Sequence, residues 1–252
     1  MKEKVLFIDS SQRPNLSEQS TNFNITLSPE IKRVKQVILQ SIYLPLTWYN
    51  ISQVYDNNTI IINVGTSNVS LTLTNGMYQT IQDLVNEIQT LIQTQRSTLT
   101  ATISKYSGLV VIQDTATTPT DFSLVFTGAL GMIGFTSGQT LSGEYSYTSL
   151  NVPSLIYNSY FMLKLGFLTS QTKLINNDQL NVSYIIPYGD LSQYNIGQLI
   201  ELTSIASDNW LIDLDSCIDL NQFNIQLFDQ YQNIINLNGT DWICKIKLIC
   251  DE

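Results

Sequence analysis

The sequence predicts a mainly β protein, an antiparallel jelly-roll β-sandwich interrupted by an inserted small α+β domain. Three observations carry this. Apolar and polar residues alternate with period two through much of the 252-residue chain. One segment alone has a clear helical period. That segment lies between two groups of short strand patterns, with all-β sequence on either side.

In chain order, Phe23, Ile25 and Leu27 alternate with Asn24, Thr26 and Ser28. Val69, Leu71 and Leu73 repeat the pattern, as do Leu99, Ala101 and Ile103, and then Phe122, Leu124 and Phe126. Further along come Val182, Tyr184 and Ile186, then Phe223, Ile225 and Leu227. The last segment puts Trp242, Cys244, Ile246, Leu248 and Cys250 on one face, with Lys245 and Lys247 on the other. Such alternation marks sheets with one dry and one wetter face, as in antiparallel sandwiches.

The helix is predicted near residues 79–95. Ile81, Leu84, Val85, Ile88, Leu91 and Ile92 fall on one helical face. Thr80-x-x-Asp83 is a capping-box-like start, and Asp83 also suits the positive end of the helix dipole. Asn75-Gly76 signals a turn just before it. A second short helical turn is expected at 128–133. Two strands are expected in 58–74 and two or three in 98–126. The predicted organisation is therefore a discontinuous sandwich over 1–54 and 145–252, with the inserted domain at 55–144. Gly138, Gly143 and the Ser/Thr-rich stretch between them read as the returning linker.

Composition narrows the function. Hydrophobic residues make up 43% of the chain and charged residues only 13%, about half the ordinary charged share. The surface is then largely Asn, Gln, Ser and Thr, which suits a protein packed against neighbours; an AT-rich genome would produce a similar bias. The net charge of −9 argues against nucleic acid as the main partner, because a DNA binder needs a basic face. The charge is uneven: residues 1–164 hold nine basic and ten acidic side chains, residues 165–252 three and eleven. No run approaches 18 apolar residues, so no membrane span is expected. The segment from Met1 to Ile8 is too short and too acidic to read as a signal peptide. Three sparse cysteines, Cys217, Cys244 and Cys250, fit a reducing compartment. Cys244 and Cys250 would lie roughly 20 Å apart along one strand, too far for a disulfide. All three read as small apolar core residues.

Catalytic signatures are absent. The chain has no histidine, which removes Ser-His-Asp and Cys-His catalysis and the usual catalytic zinc sites. No phosphate-cradling glycine loop is present. Asp208, Asp213, Asp215 and Asp219 form the densest acidic patch and read first as a solvated or interface face. A cation bound between subunits is the sharper alternative, although the calcium-loop glycine and glutamate are missing. Neither a cofactor nor a resident metal is expected. Trp48 and Tyr49, at the corner after the second strand, and Trp210, beside Asp208 and Asn209, are candidate binding or interface aromatics. Tyr145 and Tyr147 are weaker candidates. Lys32, Arg33 and Lys35 make the one compact basic cluster, which reads as a solvated turn.

Two stretches carry a resemblance. The first runs from Phe23-Asn24-Ile25-Thr26-Leu27-Ser28-Pro29-Glu30-Ile31 through Val34-x-x-Val37-Ile38-Leu39-Gln40-Ser41-Ile42-Tyr43-Leu44-Pro45 to Tyr49-Asn50-Ile51. In it, one strand leads through a short turn into a second, long strand. The second comprises Asn75-Gly76-x-Tyr78, Leu84-x-x-x-Ile88, Phe122-Ser123-Leu124-Val125-Phe126 and Leu130-Gly131-x-x-Gly134-Phe135. Together they span roughly half of the chain. They are similar to regions of the penton, or vertex capsid, proteins of virophages and Polinton-like double-stranded DNA viruses. The resemblance implies a single jelly roll and a structural, non-enzymatic capsid protein. It also implies a homopentamer at the icosahedral five-fold vertices of the virion, made in the host cytoplasm. Major capsid protein trimers would surround it, and the insertion would project outward, where it could meet a host receptor or glycan. The alternative is a carbohydrate- or receptor-binding β-sandwich of a viral surface protein, marked by an exposed aromatic platform.

Overall fold

The computed structural model describes residues 1–155, 160–168, 172–175, 178–188, 194–203 and 210–251. It is mainly β, built of curled antiparallel sheets with few helices, consistent with a jelly-roll-like sandwich. The chain divides into two compact units, Met1–Trp48 with Asn158–Glu252, and Tyr49–Tyr157.

The first unit begins with β1 (Lys2–Asp9) and the 24-residue β2 (Asn22–Pro45). The second unit follows in sequence with β3 (Thr59–Asn63), β4 (Val69–Thr72), α1 (Ile81–Gln93), β5 (Leu99–Ile103) and β6 (Val110–Asp114). It continues with β7 (Phe122–Val125), α2 (Gly128–Met132), β8 (Ser142–Glu144) and β9 (Ser146–Thr148). The first unit then resumes with β10 (Tyr160–Leu165), β11 (Thr172–Ile175), β12 (Asp178–Asn181), β13 (Tyr184–Pro187), β14 (Leu199–Thr203), β15 (Leu211–Phe228) and β16 (Ile243–Cys250).

In the second unit, β4-β3-β7-β8 form one sheet and β5-β6-β9 another. Helix α1 starts where the sequence places it. The Thr80 hydroxyl accepts the Asp83 N–H, and the Asp83 carboxylate accepts the Thr80 N–H, closing the capping box. Leu84, Val85, Ile88 and Ile92 turn the apolar face into a core with Ile60, Ile62, Leu71, Leu99, Val110, Ile112, Phe122 and Leu124. Each such fully buried aliphatic or aromatic side chain contributes about 1.5–3 kcal/mol by leaving water. The stretch read as a returning linker adds β8 to one sheet and β9 to the other. Leu141 and Tyr147 are the cause, because both are buried in this core.

The first unit holds a seven-stranded antiparallel sheet, ordered β1-β16-β2-β15-β10-β13, with β14 also paired to β2. Strands β11 and β12 form a separate two-stranded ladder. The turn expected between two strands in 23–44 does not separate them. Strand β2 runs through, although Arg33 takes a left-handed φ of 55°. The break appears instead in the pairing with β15. Asp213 and Ile218 face Gln36 and Val34, so β15 bulges there; Leu220 and Gln222 face Ile31 and Thr26, so β2 bulges around Pro29. Bulges bend a strand and increase its twist, and proline cannot donate to a ladder. The bent strands bring remote parts of the sheet into contact: the Tyr184 hydroxyl on β13 donates to the Val37 carbonyl on β2, 3.2 Å away. On β16, Cys244, Ile246, Leu248 and Cys250 are buried, while Lys245 and Lys247 alternate outward as the sequence predicts.

Candidate assembly surface

The sequence-derived site residues do not converge. Trp48 is buried, its ring edge-on to Phe161 with centroids 4.8 Å apart, and Tyr188 lies tilted 5.9 Å away. Trp210 is also buried, and its carbonyl accepts the Leu39 N–H. Trp242 completes the set, so all three tryptophans of the chain are buried. Their flat, apolar rings went where burial stabilises most, and none is offered to solvent as a stacking platform. Tyr49 is half-buried. In the second unit, Tyr145 is exposed, while Tyr147 is buried and donates its hydroxyl to the Phe122 carbonyl.

The acidic patch is spread along β15. The Asp213 carboxylate accepts from the Gln36 amide at 2.6 Å, the Asp219 carboxylate accepts the Arg33 N–H at 2.8 Å, and Asp215 stands exposed on the bulge between them. Asp208 lies outside the described residues. Among the described residues, no three Cys, Asp or Glu side chains gather so as to hold a metal ion. The basic cluster on β2 is met by acids of its own unit. Lys32 pairs with Glu30 at 2.9 Å, which raises its pKa, and Arg33 reaches Asp251 at 4.0 Å.

The cysteines part company with the sequence reading at one position. Cys244 and Cys250 are buried, and burial pushes the Cys244 thiol pKa up. Cys217 is exposed on the β15 bulge, where its thiol donates to the Asp251 carboxylate at 3.2 Å. The bulge shifts the register and leaves Asp215, Ser216 and Cys217 exposed, without register partners on β2.

What the first unit does present is sheet edge. Strand β1 pairs only with β16, and β14 only with β2, among the described residues. Tyr43 on β2 faces Ile243 of β16 on one side and Glu201 of β14 on the other, so the local strand order is β1-β16-β2-β14. Directly opposed residues share a face of the sheet. Through Asp9↔Ile243, Ile243↔Tyr43 and Tyr43↔Glu201, the side chains of Val5, Phe7, Lys245, Lys247, Leu199 and Glu201 lie on one face. Val5 is 52% exposed and Phe7 65%; at the other edge Leu199 is 51% and the neighbouring Ile196 59% exposed. On this face Lys247 pairs with Glu3 at 2.6 Å, and the Tyr43 hydroxyl donates to Glu201 at 2.7 Å. A cleft of about 180 Å³ opens beside β1, lined by Leu6, Ile8, Pro14, Phe23, Ile25 and Leu27 among others. The sequence carries a signal for this edge. Val5-Leu6-Phe7-Ile8 is apolar on both faces of a strand, more than a one-sided core requires.

No protein-family model and no curated protein matches the chain. Among solved structures, it is similar to the selenomethionine-labelled penton protein of mavirus. The TM-score is 0.57 at 12% sequence identity, and the alignment covers 99% of each chain. The chain therefore has a penton-like fold along its whole length.

Proposed function

We propose that this chain is a structural capsid protein, the penton of a small double-stranded DNA virus. In this reading five copies form a ring at each icosahedral five-fold vertex of the virion, seated among major capsid protein trimers. The observation that carries it is the penton-like fold shared over 99% of both chains. The charge-poor surface supports it, because a vertex protein is covered by neighbours. So do two sheet edges, β1 and β14, that have no partner among the described residues and carry exposed apolar side chains, since unpaired edges left exposed invite association. The role is architectural and not catalytic, in keeping with a chain that has no histidine. Residues 55–144 act as an inserted domain that projects outward and can meet a host receptor. The glycan-platform alternative is disfavoured by the burial of all three tryptophans.

The test is the solution mass of the purified protein by light scattering across a concentration range, with and without a chelator. A mass of five chains that survives chelation is expected. A monomer that also fails to enter capsids when co-expressed with a major capsid protein would overturn the reading.

A further inference from the structure

Strands β1 and β14, the two ends of the local order β1-β16-β2-β14, belong to the same sheet, and each has one edge without a partner among the described residues. Strand direction alternates along this order, because every pairing is antiparallel. Strand β14 therefore runs opposite to β1. A second copy placed beside the first, in the same sense, brings its β14 alongside β1 as an antiparallel neighbour. The unpaired N–H and C=O groups of the two edges then satisfy one another.

We propose that β14 of one copy pairs with β1 of the next, so that the sheet continues from copy to copy around the vertex ring. This rests on the ring reading given above and names its joint. Two features favour this occupant. Val5 and Phe7 lie on the same face of the sheet as Leu199 and Glu201, so pairing covers apolar surface on both edges at once. The joint also uses two different surfaces, and a heterologous contact is the kind that a ring of five requires. Pairing β1 with another β1 would set Lys2 and Lys4 of both copies on one ladder and would make a two-fold dimer, which closes no five-fold ring.

The experiment uses the whole chain in two variants, each with one edge spoiled. V5D/F7D puts carboxylates on β1 and leaves β14 intact; I196D/L199D does the reverse. Solution mass is measured for the wild type, for each variant and for their equimolar mixture, with thermal unfolding as the check on folding. The wild type is expected at five chains and each variant at one. The mixture is expected at two, because one sound β1 meets one sound β14 and the assembly can go no further. A V5D/F7D variant that keeps a mass of five chains overturns the joint and leaves the ring reading standing. So does a mixture of folded variants that stays at one chain. A wild type that forms no ring of five in solution overturns the joint, and the ring reading falls with it if the protein also fails to enter capsids co-expressed with a major capsid protein. Should a double variant unfold, Phe7→Asp and Leu199→Asp carry the same comparison.

Discussion

Arg96 and Asp114 meet at 3.0 Å inside the second unit, with the Asp114 side chain only 1% exposed. The guanidinium also donates to the carbonyls of Val64 and Thr120. The carboxylate further accepts the N–H groups of Ala116 and Thr120. One ion pair thus ties the end of β6 to the segments after β3, after α1 and before β7.

This pairing predicts an acid-sensitive second unit. A hydrogen bond from Thr98 is the largest cause that lowers the Asp114 pKa, with the two N–H groups and Arg96 adding to it against the opposing effect of burial; the result is about 2. A depressed carboxylate stabilises the fold at pH above its unfolded value near 3.8 and loses that contribution as pH falls through about 2. The difference is worth about 2 kcal/mol. Chemical denaturation between pH 5 and pH 2 should show that loss, and Asp114→Asn should flatten it. Arg96→Ala, which removes the ion pair and the hydrogen bonds to the Val64 and Thr120 carbonyls but leaves three donors on Asp114, should cost about 1–3 kcal/mol at pH 7.

Trp48 is expected to matter for stability and not for ligand binding. Its edge-on contact with Phe161 sits in the first unit's aromatic cluster. Trp48→Ala should cost about 3–5 kcal/mol in urea unfolding, and Trp48→Phe clearly less. The native protein should show blue-shifted tryptophan emission and weak acrylamide quenching, as all three indoles are buried.

Cys217 should be the one thiol that a disulfide reagent such as DTNB titrates in the native protein. Cys244 and Cys250 should react only on unfolding. The hydrogen bond to the Asp251 carboxylate is the main cause that raises the Cys217 pKa, and it holds back the reactive thiolate. Asp251→Asn should therefore speed the reaction at pH 8, whereas Asp215→Asn should change it little.

Gly134 should not tolerate a side chain. Its φ is +91°, and a Cβ there would stand 2.0 Å from the Asn151 carbonyl oxygen. Gly134→Ala should destabilise the chain by at least about 2 kcal/mol, from left-handed strain together with backbone displacement. Gly138→Ala, which meets only open space, should cost less despite its positive φ.

Local patterns wrote much of the fold into the sequence. The mainly β class, helix α1 with its capping box, the short α2 and the alternating face of β16 all follow from residue spacing. Backbone geometry alone sets those periods, so neighbours in the chain suffice to read them. Tertiary structure decided the rest. Whether β2 breaks or bends depended on a distant strand, because the shifted register of β15 absorbed the irregularity around Pro29. Whether Trp48 and Trp210 faced solvent depended on Phe161, Tyr188 and the rest of the core, which no window around either tryptophan contains. The acidic patch dispersed, and Cys217 came outward, for the same reason: a bulge moves side chains by counting residues on two strands at once. The open edges are the extreme case. A strand's sequence specifies which face is apolar, but only the completed sheet determines which strands lack a neighbour.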